Sequence, residues 1–519
     1  MTSHLILALP IAIPLLALGV CAALWKYRLA QRLASLAGSL LLLAASITLL
    51  AAVYDGTVLA TDVGSWRAPF GISLVADLFS AAMVLITGIM AVAVSVYGLV
   101  DKAELRERAF YHPLYHGLLL GVVGAFLTGD IFNLYVWFEV MLIASFGLLV
   151  VGGSREQLDA AVKYVTLNLV ATTFFLISVA FLYGATGTLN MADLSRALPE
   201  LSNQGLVTTL SIFLLIAFAS KAALFPLFFW LPASYHTASA PVMAIFAALL
   251  TKVGVYAIIR VFTLMFQGDS GYTGPIIGLV AGLTMVTGVL GAASHFDIRR
   301  ILSFHIVSQI GYMLIGVAVA TPLALAGSIL YVLHHIVVKA NLFLIAGAVN
   351  LAGGSYDLRR VGGLHRSVPL LAMLFIIPAM SLAGLPPLSG FWAKFVVVKS
   401  SLDEGHVVLA AVALVVGLLT LYSMVKIWNE AFWKAAPAGP GAAQSGWERS
   451  RTTRVAMLLP IAALASITVT IGVATGPFVD FSLRAANQLL NPIPYIEAVM
   501  SRPGNAVERI NGNRMEVIP

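Results

Sequence analysis

Two stretches, KAALFPLFFWLP at Lys221–Pro232 and GLPPLSGFWAK at Gly384–Lys394, place prolines and a lysine inside long apolar segments of this chain. A proline within a helix removes a backbone donor and clashes with the preceding turn. Inside a bilayer, the carbonyl groups that it frees are tolerated only where protein or a water-lined cavity satisfies them. A packing kink explains either stretch alone. Together they predict two broken helices, each at a polar, hydrated pocket beside a lysine.

The composition indicates a membrane protein. Of 519 residues, 60% are hydrophobic and 10% are charged, whereas a soluble domain usually carries about 25% charged residues. The single cysteine, Cys21, excludes disulfides, iron–sulfur clusters and cysteine-rich zinc sites within the chain. No Rossmann or Walker glycine motif suggests nucleotide binding. The pI of 9.4 is explained by basic cytoplasmic loops, so we expect no nucleic-acid partner.

Long apolar segments follow one another along the whole chain. A helix needs about 20 apolar residues to cross the hydrocarbon core. By that measure the sequence predicts an all-α polytopic membrane protein of about fourteen transmembrane helices, the seventh and the twelfth broken. The predicted spans are 4–25, 35–54, 74–100, 110–128, 131–151, 162–184, 207–231, 241–266, 274–294, 301–320, 323–350, 367–401, 407–433 and 455–476.

Basic residues are concentrated in every second loop. The basic loops contain Lys26, Arg28, Arg32, Lys102, Arg106, Arg108, Arg155, Arg299, Arg300, Arg359, Arg360, Arg366, Lys434, Arg449, Arg451 and Arg454. The other loops carry little beyond Arg67 and Arg196. The positive-inside rule assigns the basic loops to the cytoplasm, which predicts both termini outside. Phe478–Leu490 is predicted to lie along the interface as an amphipathic helix.

Short landmarks recur in order along the chain and indicate an internal repeat. They are Asp130-Ile131 and Asp297-Ile298, Tyr164-Val165 and Tyr331-Val332, and Phe229-Trp230 and Phe391-Trp392. If each repeat contains five helices, an odd number, successive copies are inverted, which is the usual architecture of secondary transporters. The predicted units are helices 1–3 in 1–108, a first five-helix repeat in 109–268, a second in 269–434, and a cytoplasmic loop, the last helix and an interfacial tail in 435–519.

Charged residues near the middle of predicted spans are the main functional signal. They are Glu139, Lys221, Lys252, Lys339 and Lys394. A charge at a helix centre costs roughly 2.5–3.5 kcal/mol on insertion, and such residues mark ion or proton pathways. Lys221 is the natural partner of Glu139, although a pair that only holds helices together is the alternative. Arg260, Lys399 and Lys426 lie nearer span ends, where long side chains snorkel to the interface.

Three histidines extend this set. His305 falls within one residue of the position that Glu139 occupies in the first repeat, and His334 and His335 lie one turn before Lys339. Imidazole titrates near neutral pH, which suits a proton relay, although a hydrogen-bonded structural histidine is the alternative. Adjacent histidines point to different helix faces and have no acidic or cysteine partner nearby, so we expect no metal site and no cofactor.

Several motifs together resemble one family, and the resemblance covers nearly the whole chain. They are Asn133-Leu-Tyr-Val-Trp-Phe-Glu139-Val, Lys221 before Phe-Pro-Leu, Lys252-Val-Gly-Val-Tyr, Arg300-Ile-Leu-Ser-Phe-His305, Gln309-Ile-Gly-Tyr and Gly384-Leu-Pro-Pro-Leu-Ser-Gly-Phe. The chain resembles the antiporter-like subunits of respiratory complex I, membrane-bound hydrogenases and Mrp-type sodium/proton antiporters. The resemblance implies fourteen helices with two inverted five-helix units.

The resemblance also implies roles and partners. Glu139 and Lys221 match the coupled pair, Lys252 the relay lysine, Lys339 the central lysine between the halves and Lys394 the terminal lysine of the second half. The family implies a multi-pass protein of the bacterial cell membrane in a hetero-oligomer. In the Mrp case its partners are subunits of the A, B, C, E, F and G types.

Three functions remain open from the sequence. The first is a proton-translocating subunit of a multisubunit sodium/proton antiporter, with protons relayed through water and the buried Glu, Lys and His side chains. The second is the same conduit in a redox-driven NADH dehydrogenase or membrane-bound hydrogenase. The third, a passive scaffold, does not explain five central charges. We therefore expect a secondary transporter subunit rather than an enzyme.

Overall fold

The structure, a computed structural model, describes residues 3–99, 110–436, 451–501, 508–511 and 514–517. In this part of the chain, twelve helices are long and apolar enough to cross a membrane, which confirms an all-α polytopic fold. The other two predicted spans correspond to the 17-residue helix Tyr111–Leu127 and to the broken segment that contains Pro369–Ala383 and Ser389–Asp403.

The described residues form helices along almost their whole length. In chain order these are α1 Ser3–Ala23, α2 Arg28–Val53, α3 Leu78–Gly98, α4 Tyr111–Leu127, α5 Ile131–Val150, α6 Arg155–Thr186, α7 Met191–Ala197, α8 Gln204–Ala222, α9 Trp230–Ser234, α10 Ala240–Ile245, α11 Thr251–Leu264, α12 Ser270–Ser294, α13 Ile298–Val319, α14 Pro322–Gly353, α15 Leu364–Ser367, α16 Pro369–Ala383, α17 Ser389–Asp403, α18 Val407–Ile427, α19 Arg451–Val473, α20 Thr475–Leu490 and α21 Ile493–Met500. Two antiparallel hairpins pair β1 Leu59–Asp62 with β2 Ser73–Ala76, and β3 Glu508–Asn511 with β4 Arg514–Val517.

Both predicted helix breaks are present. The first lies between α8 and α9, and the second between α16 and α17. Each begins with a left-handed residue, Ala223 at φ 62° and Gly384 at φ 95°. The N–H groups of these two residues donate to carbonyl groups of the preceding turn, so each helix is closed before the proline segment begins.

The second helix of each half begins with the same backbone arrangement. The N–H of Ile131 donates to the carbonyl of Leu189 at 2.9 Å, and the N–H of Ile298 donates to that of Tyr356 at 3.1 Å. Each contact stands beside an isolated bridge, Asp130 with Asn190 in one half and Asp297 with Asp357 in the other. This correspondence supports the proposed division into a first repeat at 109–268 and a second at 269–434.

Loop contacts separate the two ends of the bundle. At the end with the basic loops, which we call the inner end, His236 contacts Arg300 and Lys434 donates to the carbonyl of Leu358. At the opposite, outer end, α20 lies across α14 and α3, and Gln488 accepts from the N–H of Leu78. The predicted helix Phe478–Leu490 is thus part of α20.

Some sequence predictions concern residues that the structure does not cover. Lys102, Arg106, Arg108 and Arg449, and most of the predicted loop at 435–446, lie outside the described residues. The assignment of the outer end to the outside of the cell stays a prediction from the basic loops.

Candidate functional site

Glu139 and Lys221 form an open charge pair. Glu139 is half-buried on α5, and its Oε1 atom is buried without a hydrogen-bond partner. Lys221 is buried in the last turn of α8 and interacts electrostatically with Glu139, but no ion pair within 4.0 Å joins them. The Lys221 ammonium instead donates to Oδ1 of Asn168 at 3.2 Å and lies 5.6 Å from the centroid of the Phe138 ring.

The helix break positions Lys221. Since α8 ends one residue later, its last carbonyl groups have no partner within the helix. The indole N–H of Trp230, beyond the break, donates to the carbonyl of Ser220 at 2.9 Å. A Cβ added to Gly254 of α11 would lie 2.6 Å from the backbone nitrogen of Ala222. Only a glycine therefore lets α11, the helix of Lys252, pack so closely against this helix end.

Lys252 is completely buried and follows an irregular turn. The preceding residues Phe246–Leu250 form a π-helix, a conformation that is rare and is often found at functional sites. The Lys252 ammonium donates to the carbonyl of Ala247 within this turn. The sequence suggested a regular span here, and no residue in the turn signals a π-helix.

Lys339 lies at the joint of the two halves, on α14. Its side chain is completely buried, and its ammonium donates to the carbonyl of Leu302 on α13 at 3.2 Å. Lys252 and Lys339 are within electrostatic range of each other, and both are within range of His335. His305 interacts in the same way with Lys339 and with Lys394. The structure thus brings these five predicted residues into one row.

Lys394 reaches back across the second helix break. Its ammonium donates to the carbonyl groups of Leu382 and Ala383, at 3.0 Å each. These are the last carbonyls of α16, the negative end of the helix dipole. Lys221 belongs to the equivalent last turn of α8, but its ammonium donates to Asn168 rather than to the carbonyl groups of its own helix.

His334 faces this second break. Its Nδ1 atom is 2.7 Å from Oγ of Ser389, which is 3.0 Å from Oγ of Ser381. His334 and Lys394 are within electrostatic range. Ser381 and Ser389 lie on the two sides of the break, so this hydroxyl pair links the histidine to both helix fragments.

The row retains unused hydrogen-bonding capacity. Within the described part of the chain, several buried polar atoms of the row, and of residues one or two positions from it in sequence, have no hydrogen-bond partner. They are both ring nitrogens of His305 and of His335, Nε2 of His334, Oγ1 of Thr251, and Oδ1 and Nδ2 of Asn341. Buried polar groups in folded proteins are normally bonded to protein or to ordered water, so these atoms are available to bind water.

A cavity of about 600 Å³ extends from Lys394 toward the outer end. It borders Lys399 and Asp403, which form an exposed ion pair at the end of α17. Most of its remaining lining is apolar and comes from α17 and α18. Lys394 therefore lines a cavity that reaches the exposed end of α17.

Sequence reasoning missed Asn168 and misinterpreted Arg260. Asn168 in the first repeat corresponds to His335 in the second, with the same spacing in sequence as Tyr164 and Tyr331. The internal repeat is therefore the signal that identifies Asn168. Arg260 does not snorkel, because its side chain is only 5% exposed and lies 2.6 Å from the Asp77 carboxylate. A carboxylate within reach makes burial less costly than the sequence suggests.

Comparisons with known proteins point in one direction. The family model described as NADH:quinone oxidoreductase/Mrp antiporter, transmembrane, matches residues 128–420. The chain is 46% identical to the D subunit of the Na(+)/H(+) antiporter of Alkalihalophilus pseudofirmus, over 95% of this chain and 98% of that protein.

Solved structures agree with these relatives. A chain in the Mrp complex from a Dietzia species superposes with a TM-score of 0.87 at 36% identity, covering 96% of this chain and 100% of that one. A chain of the membrane-bound sulfane sulfur reductase, an archaeal respiratory membrane complex, gives a TM-score of 0.86 at 25% identity, covering 95% of this chain and 99% of that one.

Proposed function

The chain belongs to the family of NADH:quinone oxidoreductase and Mrp antiporter membrane subunits, and we propose that it is a D-type, proton-translocating subunit of a multisubunit Na⁺/H⁺ antiporter. The D-type relative from Alkalihalophilus pseudofirmus, similar over nearly its whole length, supports this choice within the family. The partners of this chain are then the other subunits of that complex, in a bacterial cell membrane.

One observation carries the mechanism: lysines and histidines, all buried except the half-buried Lys394, form a row that crosses both halves of the bundle. Lys252, His335, Lys339, His305 and Lys394 are connected pairwise by electrostatic interaction. A charge inside a membrane protein is costly and is retained where it serves transport. Protons move along this row through water bound by the polar atoms that have no protein partner.

The lysines act in sequence because each charge acts on its neighbour. A proton on Lys252 disfavours a second one on Lys339, since like charges oppose each other. Glu139 favours the charged form of Lys221 by the opposite interaction. Movement of one proton therefore changes the occupancy of the next site, and the open Glu139–Lys221 pair is the place where this coupling begins.

Removal of either end of this pair tests the proposal. In everted membrane vesicles, Glu139→Gln and Lys221→Met each abolish Na⁺-dependent proton movement, while the amount of assembled complex stays at the wild-type level. Lys163→Met is the matched control, because Lys163 is an exposed lysine paired with Asp159, and it retains full activity. Full antiport in an assembled Glu139 or Lys221 variant contradicts the proposal.

A redox-driven complex is the second candidate, and the similarity to a chain of an archaeal respiratory complex favours retaining it. The row of charges would serve either machine. Purification of the native complex separates them: small hydrophobic membrane subunits alone support the antiporter, whereas partner chains with redox centres support the alternative.

A further inference from the structure

Arg260 is a buried cation that the proposed relay does not use. It lies near the outer end of α11, and its guanidinium is 2.6 Å from the Asp77 carboxylate, with both side chains at most 5% exposed. Asp77 also accepts from the N–H of Ser80 at 2.9 Å, which caps α3. The carboxylate is therefore held in place, and it fixes the position of the guanidinium.

An aromatic layer separates this ion pair from the relay. Tyr256 lies four residues after Lys252 and four before Arg260, so the three share one helix face. Its hydroxyl donates to the carbonyl of Phe126 at 2.8 Å and accepts from Arg260 at 3.3 Å. The Tyr256 ring lies 5.1 Å from that of Phe79 and 4.9 Å from that of Phe126. Between Lys252 and Arg260 this face therefore presents an aromatic ring whose hydroxyl is already bonded.

The C-terminal segment covers the ion pair from the outer side. The Arg260 guanidinium lies 5.3 Å from the ring centroid of Tyr495 on α21, and Tyr495 is 5% exposed. The preceding helix, α20, is attached to the outer end through Gln488, which also donates to the carbonyl of Gly56 at 2.9 Å. Tyr495 is thus held over Arg260 by a segment that is itself fixed.

We propose that Asp77, Arg260 and Tyr495, together with the aromatic layer at Tyr256, form an outer seal that closes the first half of the relay toward the outer end. This inference rests on the proposed function. A guanidinium does not give up its proton in a protein, so Arg260 cannot pass one on. Asp77 in turn offers no free carboxylate to take up a proton, because its charge is paired with the guanidinium.

The seal gives the relay a direction. A proton on Lys252 has no route outward along α11 and leaves toward His335 and Lys339. The second half differs, because the cavity beside Lys394 extends toward the outer end. The outer seal, formed by Arg260, Asp77 and Tyr495, therefore prevents protons from reaching the outer end through the first half as well as through the second.

Passive proton conductance tests the seal. The assembled complex is reconstituted in liposomes that contain a pH-sensitive dye and no Na⁺, and internal acidification is followed after an acid pulse outside. Arg260→Gln leaves the negative charge of Asp77 unpaired. It raises the rate by about tenfold, the factor that one unit charge about 12 Å away from Lys252 contributes at an effective dielectric constant of about 20. Tyr495→Ala raises it less, because the Asp77–Arg260 ion pair remains.

Two further variants show where the leak passes. Arg484→Gln is the matched control, since Arg484 is also at the outer end but contacts Tyr54, and its conductance equals that of the wild type. The double variant Arg260→Gln with Lys252→Met returns to the wild-type rate, because the leak must pass Lys252. A leak that persists in the double variant comes from a disturbed bundle and overturns the seal.

The remaining outcomes are also decisive. If the assembled Arg260→Gln complex conducts protons at the wild-type rate, the proposal is wrong. If that variant does not assemble, a wild-type proton conductance in Tyr495→Ala overturns the proposal instead. A different result would show that the proposed function is wrong: Glu139→Gln would then retain antiport. If only the outer seal is wrong, Glu139→Gln remains inactive in antiport.

Discussion

Lys221, Lys252, Lys339 and Lys394 are stabilised in the same way. Each ammonium donates to a neutral oxygen, the Asn168 amide in the first case and backbone carbonyl groups in the others. In the described part of the chain, no carboxylate lies within 4.0 Å of any of the four. A carboxylate partner would favour the charged form and retain the proton. A dipole holds the ammonium in place while leaving the proton available.

Substitution of Asn168 tests whether its amide oxygen positions the Lys221 ammonium. Asn168→Leu removes the oxygen that accepts from Lys221 and leaves a buried ammonium without that bond. A hydrogen bond to a charged group contributes about 1.5–3 kcal/mol, so we expect antiport to fall about 10- to 100-fold. Asn168→Ser retains an acceptor and recovers part of the activity. The measurement is Na⁺-dependent proton movement in vesicles, normalised to assembled complex.

Equal rates in Asn168→Leu and the wild type would show that the amide has no part in positioning Lys221. Loss of the complex from the membrane would place the residue in folding instead. The Asn168→Ser variant separates the two roles, because its hydroxyl still offers an acceptor to the buried ammonium.

At the scale of elements, the broken helices determine where charge can be held. Each break leaves the last carbonyl groups of a helix without a partner within that helix. The Lys394 ammonium donates to two of them at the second break, and Lys221 belongs to the last turn of the helix that ends at the first. The connection after the first break also joins the two halves. His236, between α9 and α10, contacts Arg300 at the start of α13 through Nε2 at 3.2 Å, while its Nδ1 atom is 2.9 Å from the carbonyl of Pro232. Arg300 is a donor, so Nδ1 carries the proton of a neutral ring.

This contact predicts an acid limit for activity. Burial, followed by the charges of Arg300 and Arg299, lowers the pKa of His236, with Asp297 opposing them. The ring is therefore neutral at pH 7, and the contact between His236 and Arg300 is intact. The contact is lost only as the pH falls below the ordinary histidine range, because the protonated ring and the guanidinium then face each other as two cations. We expect antiport to decline on acidification of the inner side, and His236→Gln, which accepts from Arg300 at any pH, to lose this decline.

The control for this prediction is His406→Gln, because His406 is exposed at the outer end and retains the wild-type pH profile. If the antiport activity of His236→Gln declines on acidification as the wild type does, another group causes the decline.

At the scale of the whole molecule, periodicity and repeats predict most of the fold. Long apolar runs predict the spans, since only a helix satisfies its own backbone in lipid, and the two proline segments predict both breaks. The π-helix before Lys252 could not be predicted, because it depends on packing around the turn rather than on any residue in it. The same limit applies to Arg260, whose partner Asp77 is remote in sequence and is brought near only by the fold.

Substitution of Lys339 tests whether one continuous row carries protons through both halves. Lys339→Leu removes the charge at the joint and leaves the Glu139–Lys221 pair and Lys394 in place. Measured in everted vesicles with a pH-sensitive dye and a Na⁺ pulse, the assembled Lys339→Leu complex should show no antiport. Antiport at the wild-type rate in that complex would contradict the account.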